Sequence, residues 1–252
     1  MTNTRNFITP LKNELIAFLA FMGVWSIAAV FYPIYMIPSP VAVAAGFPSY
    51  LPVNFLHHIA MTGVRVGAGF GISFILSALI GILVFNKSWS ASVNAFMSAL
   101  NVLPGMVLGV IFLLVFGIGS ATPIALITLL TLPTLTINTI NGLAKRNTCL
   151  EEYLTTIGAA KNDFIKFLYL PAIVPTLMSN LSIGMGLSIK VVLMGEFIGA
   201  QDGLGYLLNA ARLTFNMKEV FFYLVVMLLF TLLFQAGISW VSNTALRKYF
   251  YE

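Results

Sequence analysis

Charge is what this sequence has least of: of 252 residues, 8% are Asp, Glu, Lys or Arg, while 59% are hydrophobic. A soluble globule usually carries about a quarter of its residues as charges. The polar material here cannot coat one, so the chain is read as an integral membrane protein. The net charge of +5 comes from scattered basic residues, which fit membrane orientation and lipid contact, not a nucleic-acid patch. Cysteine occurs once, at Cys149, which excludes an internal disulfide and a thiolate metal site. Histidine occurs only as His57 and His58, and adjacent histidines cannot both face one metal from a helix. A Gly-x4-Gly-Lys-Ser/Thr run is missing, so the chain has no P-loop and any ATP must be handled by a partner. The clustered nucleophiles or carboxylates of a membrane-embedded enzyme are missing too, and no enzymatic activity is expected. With no repeated unit of about 30–50 residues and no low-complexity linker, residues 1–252 read as one all-helical domain.

What is present is a succession of apolar runs. Spans are predicted over about 15–37, 59–85, 92–116, 123–140, 172–198 and 220–240. The first is too long for a signal peptide's core and lacks a small-x-small cleavage site, so it is expected to be retained. In the second, Gly63, Gly67 and Gly71 are spaced by four, with Ser77 and Gly81 beyond them, a pattern that lets a neighbouring helix pack closely. Arg65 in that span is expected to snorkel to the headgroups. The third span is interrupted at Leu103-Pro104-Gly105, which predicts a kink. With the N-terminus cytoplasmic, Arg5, Lys12, Lys87, Lys145, Arg146, Lys161, Lys166, Arg247 and Lys248 fall inside, and the outer loops keep only Arg212 and Lys218. That bias predicts both termini in the cytoplasm.

The segment Glu151–Pro171 is the one long stretch that mixes charge with apolar residues, so it must meet water or a soluble partner. Leu150, Leu154, Ile157, Phe164 and Leu168 share one helical face, and Gly158 interrupts the pattern near its middle. An amphipathic helix lying on lipid headgroups would account for such a stripe. The spacing of Glu152, Gly158 and Leu168-Tyr169-Leu170-Pro171 also resembles the E-A-A-x3-G-x9-I-x-L-P signature of ABC importer permeases. Tyr153 and Leu154 stand where that signature has alanines, and Leu168 where it has isoleucine. Three further stretches resemble the nitrate, sulfonate and taurine branch of that family. They are Pro38-Ser39-Pro40, Pro104 followed by Phe116-Gly117-Ile118-Gly119, and Glu196 followed by Gly203-Leu204-Gly205-Tyr206-Leu207. Val110 and Val115 depart from the branch pattern.

The resemblance implies a six-helix membrane fold of the type I importer kind, lodged in the cell (inner) membrane. It implies that the loop 141–171 carries a coupling helix, with Glu152, Gly158, Ala159, Leu170 and Pro171 meeting a separate ATPase that binds ATP and Mg. A second permease copy and an extracytoplasmic binding protein complete the implied assembly. Lys190 and Glu196 sit in an apolar setting where an ionised group costs about 3 kcal/mol or more. They and Pro104 are the candidates for the solute pathway. Six residues on a regular helix turn through about 240°, so pairing Lys190 with Glu196 would need a break, for which Gly195 is placed. The implied solutes are small anions such as nitrate, sulfonates or bicarbonate, or vitamin precursors, with Lys190 leaning towards an anion. A rival reading is a secondary carrier or channel that uses Lys190 and Glu196 for ion coupling.

Overall fold

The computed structural model describes residues 5–85 and 88–246, with side chains at 16, 18–85 and 88–237. Lys87, Arg247, Lys248 and the side chains of Arg5 and Lys12, part of the orientation argument, lie outside the described residues. Among those described, all regular structure is helical. Helices suit a hydrocarbon surrounding because they satisfy backbone hydrogen bonds within one segment. Four are long and apolar enough to cross a membrane, or five if one bent pair is a single span. The chain packs as two compact units. One holds the residues up to Phe55 with Leu208–Met227, and the other Leu56–Leu207 with those from Leu228 onward.

In the first unit, α1 (Arg5–Phe31) stops just ahead of Pro33. The residue before a proline is pushed out of the α region, which ends the helix. Ser39 then caps α2 (Pro40–Ala45), its hydroxyl accepting from the Ala42 N–H at 3.2 Å with Pro40 in the first turn. The Pro-Ser-Pro stretch therefore starts a helix, and the span expected to run to about residue 37 has already ended at Phe31. After the single turn of α3 (Phe47–Tyr50), aromatic residues hold the unit together. The Trp25 indole donates to the Pro38 carbonyl at 2.9 Å and stacks on Phe221 at 5.3 Å. Phe222 meets Phe47 edge-on at 5.4 Å, and the Tyr223 hydroxyl donates to the Tyr50 carbonyl at 2.8 Å.

The second unit contains α4 (Phe55–Val84), α5 (Ser90–Asn101), α6 (Gly105–Phe116), α7 (Ala121–Ala144), α8 (Thr148–Thr156), α9 (Lys161–Asp163), a π-helix (Phe164–Tyr169) and α10 (Leu170–Gly199). α11 (Leu204–Leu213) begins in it and α12 (Met217–Leu246) ends in it. Val66, Leu126, Ile127, Ile189 and Val192 are fully buried and form the core shared by α4, α7 and α10. The helix-packing glycines differ from the expectation: Gly63, Gly67 and Gly71 face open space. The small residues that do pack are Gly69, Ser73, Ser77 and Gly81, also spaced by four but rotated to the inner face. A Cβ at Gly69 or Gly81 would run into Ile127 or Thr139 of α7, so these glycines set how closely the two helices approach. Ser73 accepts a hydrogen bond from Thr131 at 2.7 Å across the same contact. The break at Leu103-Pro104-Gly105 is larger than a kink, because α5 and α6 meet at 87°.

Candidate functional site

The segment singled out by its mixed composition is built from local rules. Asn147 caps α8 by accepting from the Leu150 N–H at 3.1 Å. Gly158 ends it in the left-handed region, at φ 67°. Its N–H donates to the Thr155 carbonyl at 3.1 Å and that of Ala159 to the Leu154 carbonyl at 3.0 Å. This pair of bonds is a Schellman stop, which glycine adopts without the penalty that a Cβ brings. Asp163 then accepts from the Ala160 N–H at 3.0 Å and starts the next turn. Just before Pro171 the chain widens into the π-helix. Proline has no N–H to give to the carbonyl four residues back and its ring would collide there, so the wider turn relieves both problems.

The hydrophobic stripe is therefore split, which corrects the expectation of one continuous face. Leu154 and Leu168 are buried, but Ile157 is 57% exposed and Tyr153 60% exposed. Glu152 is exposed and lines an open cavity of about 520 Å³ with Thr148, Thr155 and Thr156. Gly158 is exposed and Ala159 half-buried, while Leu170 and Pro171 stand exposed in the first turn of α10. The segment is also tied to the bundle. Arg146 grips Glu151 through two nitrogens, at 2.9 and 3.2 Å, and lies 5.5 Å over the Phe85 ring. Phe85 in turn meets Tyr169 edge-on at 5.6 Å. Further along, Asn180 of α10 donates to Thr139 at 2.8 Å and accepts from Asn138 at 2.6 Å, so α7 and α10 are bound by an amide cluster.

The predicted pathway residues do not come together. Lys190 is exposed, whereas Glu196 is fully buried on an α10 that runs unbroken to Gly199. Gly195 makes no break; a Cβ there would meet Pro123, so it is a packing position. Pro104 caps α6 at the surface. The partner of Glu196 is Arg65, which does not snorkel: it is 2% exposed and reaches Glu196 Oε1 at 2.9 Å. The guanidinium also binds Ser120 Oγ at 3.0 and 3.1 Å, the Asp202 carbonyl at 2.8 Å and the Asp202 carboxylate. Thr62 lies 2.9 Å from both Glu196 oxygens and accepts from the Leu204 N–H at 3.0 Å, while the Gly205 N–H donates to Glu196 Oε2 at 3.0 Å. Gly203, at φ 103°, donates to His58 Nδ1 at 3.0 Å. His57 Nε2 lies 3.1 Å from Asp202 Oδ2. Burial pulls the Asp202 carboxyl upward, but the hydrogen bonds and charges of Arg65 and His57 outweigh it and leave it below its ordinary value. The knot pins the 200–206 loop to α4 and α10, and the same Arg65 side chain ties α4 to Ser120 at the start of α7. Sequence reading placed Arg65 at the headgroups and missed its link to Glu196 and Asp202. A charge on the small-residue face of α4 was the available signal.

Long apolar helices, with a short exposed helix tied between two of them and a charged knot securing a loop, are the architecture of a membrane-embedded protein. The chain belongs to the family described as binding-protein-dependent transport system inner membrane component, whose pattern matches residues 70–245. It is a family of ABC importer permeases, not of enzymes. The chain is 29% identical to the formylaminopyrimidine transport permease protein ThiX of Halalkalibacterium halodurans over 232 residues, 91% of this chain and 92% of that one. It is 26% identical to the putative aliphatic sulfonates transport permease protein SsuC of Bacillus subtilis, over 74% of this chain and 68% of that one. Its fold matches a chain of the inward-facing MetNI methionine ABC transporter with a TM-score of 0.64 at 19% identity, over 75% of this chain and 94% of that chain.

Proposed function

We propose that this chain couples to a separate ATPase through α8 and its glycine stop, and that two copies line the path of a small solute delivered by an extracytoplasmic binding protein. The observation that carries the reading is the placement of exposed Tyr153 and Ile157 beside Gly158, on a helix whose base is anchored by Arg146, Leu154 and Leu168. An exposed apolar tip on a fixed base suits docking into a cleft. ATP and Mg belong to the partner ATPase. Its closure draws two such segments together, and each moves α7 and α10 through the Arg146, Phe85 and Tyr169 contacts. In this scheme α8 and both termini are cytoplasmic, and the 200–206 loop with its charged knot faces outward, where the binding protein docks. The solute is a small anion or a small vitamin precursor, in keeping with the sulfonate and formylaminopyrimidine permeases among its relatives.

The test is co-purification in mild detergent with the ATPase encoded beside it, comparing wild type with Ile157→Asp. Ile157 is exposed, so the substitution should leave thermal stability unchanged and abolish ATPase capture. Capture equal to wild type would overturn the docking reading.

A further inference from the structure

A second feature lies where α7 ends and α10 begins. Thr134, Asn138, Asn141 and Lys145 fall at spacings of four, three and four, which places them in one row along α7. Such a polar row is costly in a protein this apolar unless it faces water, a solute or a partner. On α10, Thr176 and Ser179 stand opposite its lower half. Asn138, Asn141, Lys145, Thr176 and Ser179 line one open cavity of about 360 Å³, a size that suits a small organic solute. Asn138 is held in place by its bond to Asn180 Oδ1 at 2.6 Å.

The charge in the cavity is one-sided. No carboxylate lines it, and Lys145 makes no ion pair among the described residues. Glu151, a few residues beyond, is held by Arg146. Lys145 is the C-cap of α7, where the helix carbonyls favour a cation, and its side chain is exposed. Eleven residues above Ser179 on α10 stands Lys190, also exposed and without an ion pair among the described residues. Eleven residues are about three full turns, so Lys190 and Ser179 share one face some 16 Å apart.

We infer that Asn138, Asn141 and Lys145 of α7, with Thr176 and Ser179 of α10, form an anion-receiving subsite at the inner mouth of the solute path. The ligand class is a small sulfonate or carboxylate, held by the Lys145 ammonium and by amide and hydroxyl hydrogen bonds. The inference rests on the proposed orientation, in which this end of α7 is cytoplasmic. Lys190 provides a second positive station on the same face, so an anion moving inward passes from one cation to the next.

The experiment uses the full chain in uncharged maltoside detergent, with Cys149→Ser removing the native thiol and Ser179→Cys placing a reporter in the cavity. The rates of modification by an anionic and a cationic methanethiosulfonate are compared, with and without Lys145→Gln. The expected result is an anion-to-cation rate ratio that falls on the order of 5-fold when Lys145 is neutralised, and protection of the reporter by isethionate but not by an uncharged aminopyrimidine. A reporter that reacts with neither reagent, or a ratio unmoved by Lys145→Gln, would overturn the subsite. Protection by the aminopyrimidine, with isethionate inert, would overturn the ligand class. These rates need no ATPase, so they can fail while ATPase capture succeeds, and the reverse.

Discussion

Replacing Arg65 by methionine removes the one cation that pairs with the buried Glu196 among the described residues. The two groups are 2% and 0% exposed and lie 2.9 Å apart. Breaking such a pair by taking away one partner leaves an uncompensated buried charge, which costs about 3–5 kcal/mol. The Asp202 and Ser120 contacts of the same guanidinium are lost with it, which places Arg65→Met at the upper part of that range. For a chain of this size about 1 kcal/mol corresponds to roughly 2–4 °C in Tm, so a fall on the order of 10 °C is expected. Glu196→Gln should be milder, because an amide oxygen can still accept from the Gly205 N–H. The double variant should be less damaged than the two single effects summed, with a coupling of about 1–3 kcal/mol. Intrinsic tryptophan fluorescence during thermal unfolding of the four purified proteins measures this cycle. An Arg65→Met protein within about 2 °C of wild type, or strictly additive effects, would refute the reasoning that the pair is a buried and mutually dependent contact.

Gly158→Ala should carry a conformational cost of about 1–2 kcal/mol without a steric one, since a Cβ there meets nothing within 4 Å. ATPase capture should therefore weaken, with a Tm loss of no more than about 2–8 °C, and an unchanged capture curve would count against the left-handed stop being needed. Asp202 contributes to pH dependence with a definite sign. Its carboxyl titrates lower when folded than its ordinary 3.8, so its stabilising contribution is complete above that value and is lost as pH falls through the lower folded one. Asp202→Asn should flatten the Tm profile below about pH 4 and leave its slope near neutrality unchanged; equal profiles in acid would show that the contact with Arg65 and His57 adds nothing.

Part of the proposed coupling segment was legible because its determinants are local. The interruption at Gly158 was read from residue type and spacing; the Asn147 cap, the Asp163 turn and the widened turn before Pro171 also act within a few residues but were seen only in the structure. The composition likewise determined a membrane protein, since so few charges cannot coat a globule. The family match and the all-helical fold agree with that reading. What the linear order could not convey is rotation about helix axes. Gly63, Gly67 and Gly71 and the packing set Gly69, Ser73, Ser77 and Gly81 share the same four-residue rhythm. They differ by a few residues of phase, and only packing against α7 chooses between them.

The sequence by itself determined that the chain is a membrane protein built of apolar helices, and it marked the one short segment in which charge and apolar residues mix. Tertiary structure alone decided which charges meet. Arg65 finds Glu196 131 residues away and Asp202 137 residues away, and Glu196 is thereby taken from Lys190, six residues from it in the chain. The reason is physical: a cap or a stop is settled by atoms within one turn, whereas the partner of a buried charge depends on which helix faces come into register when the bundle closes.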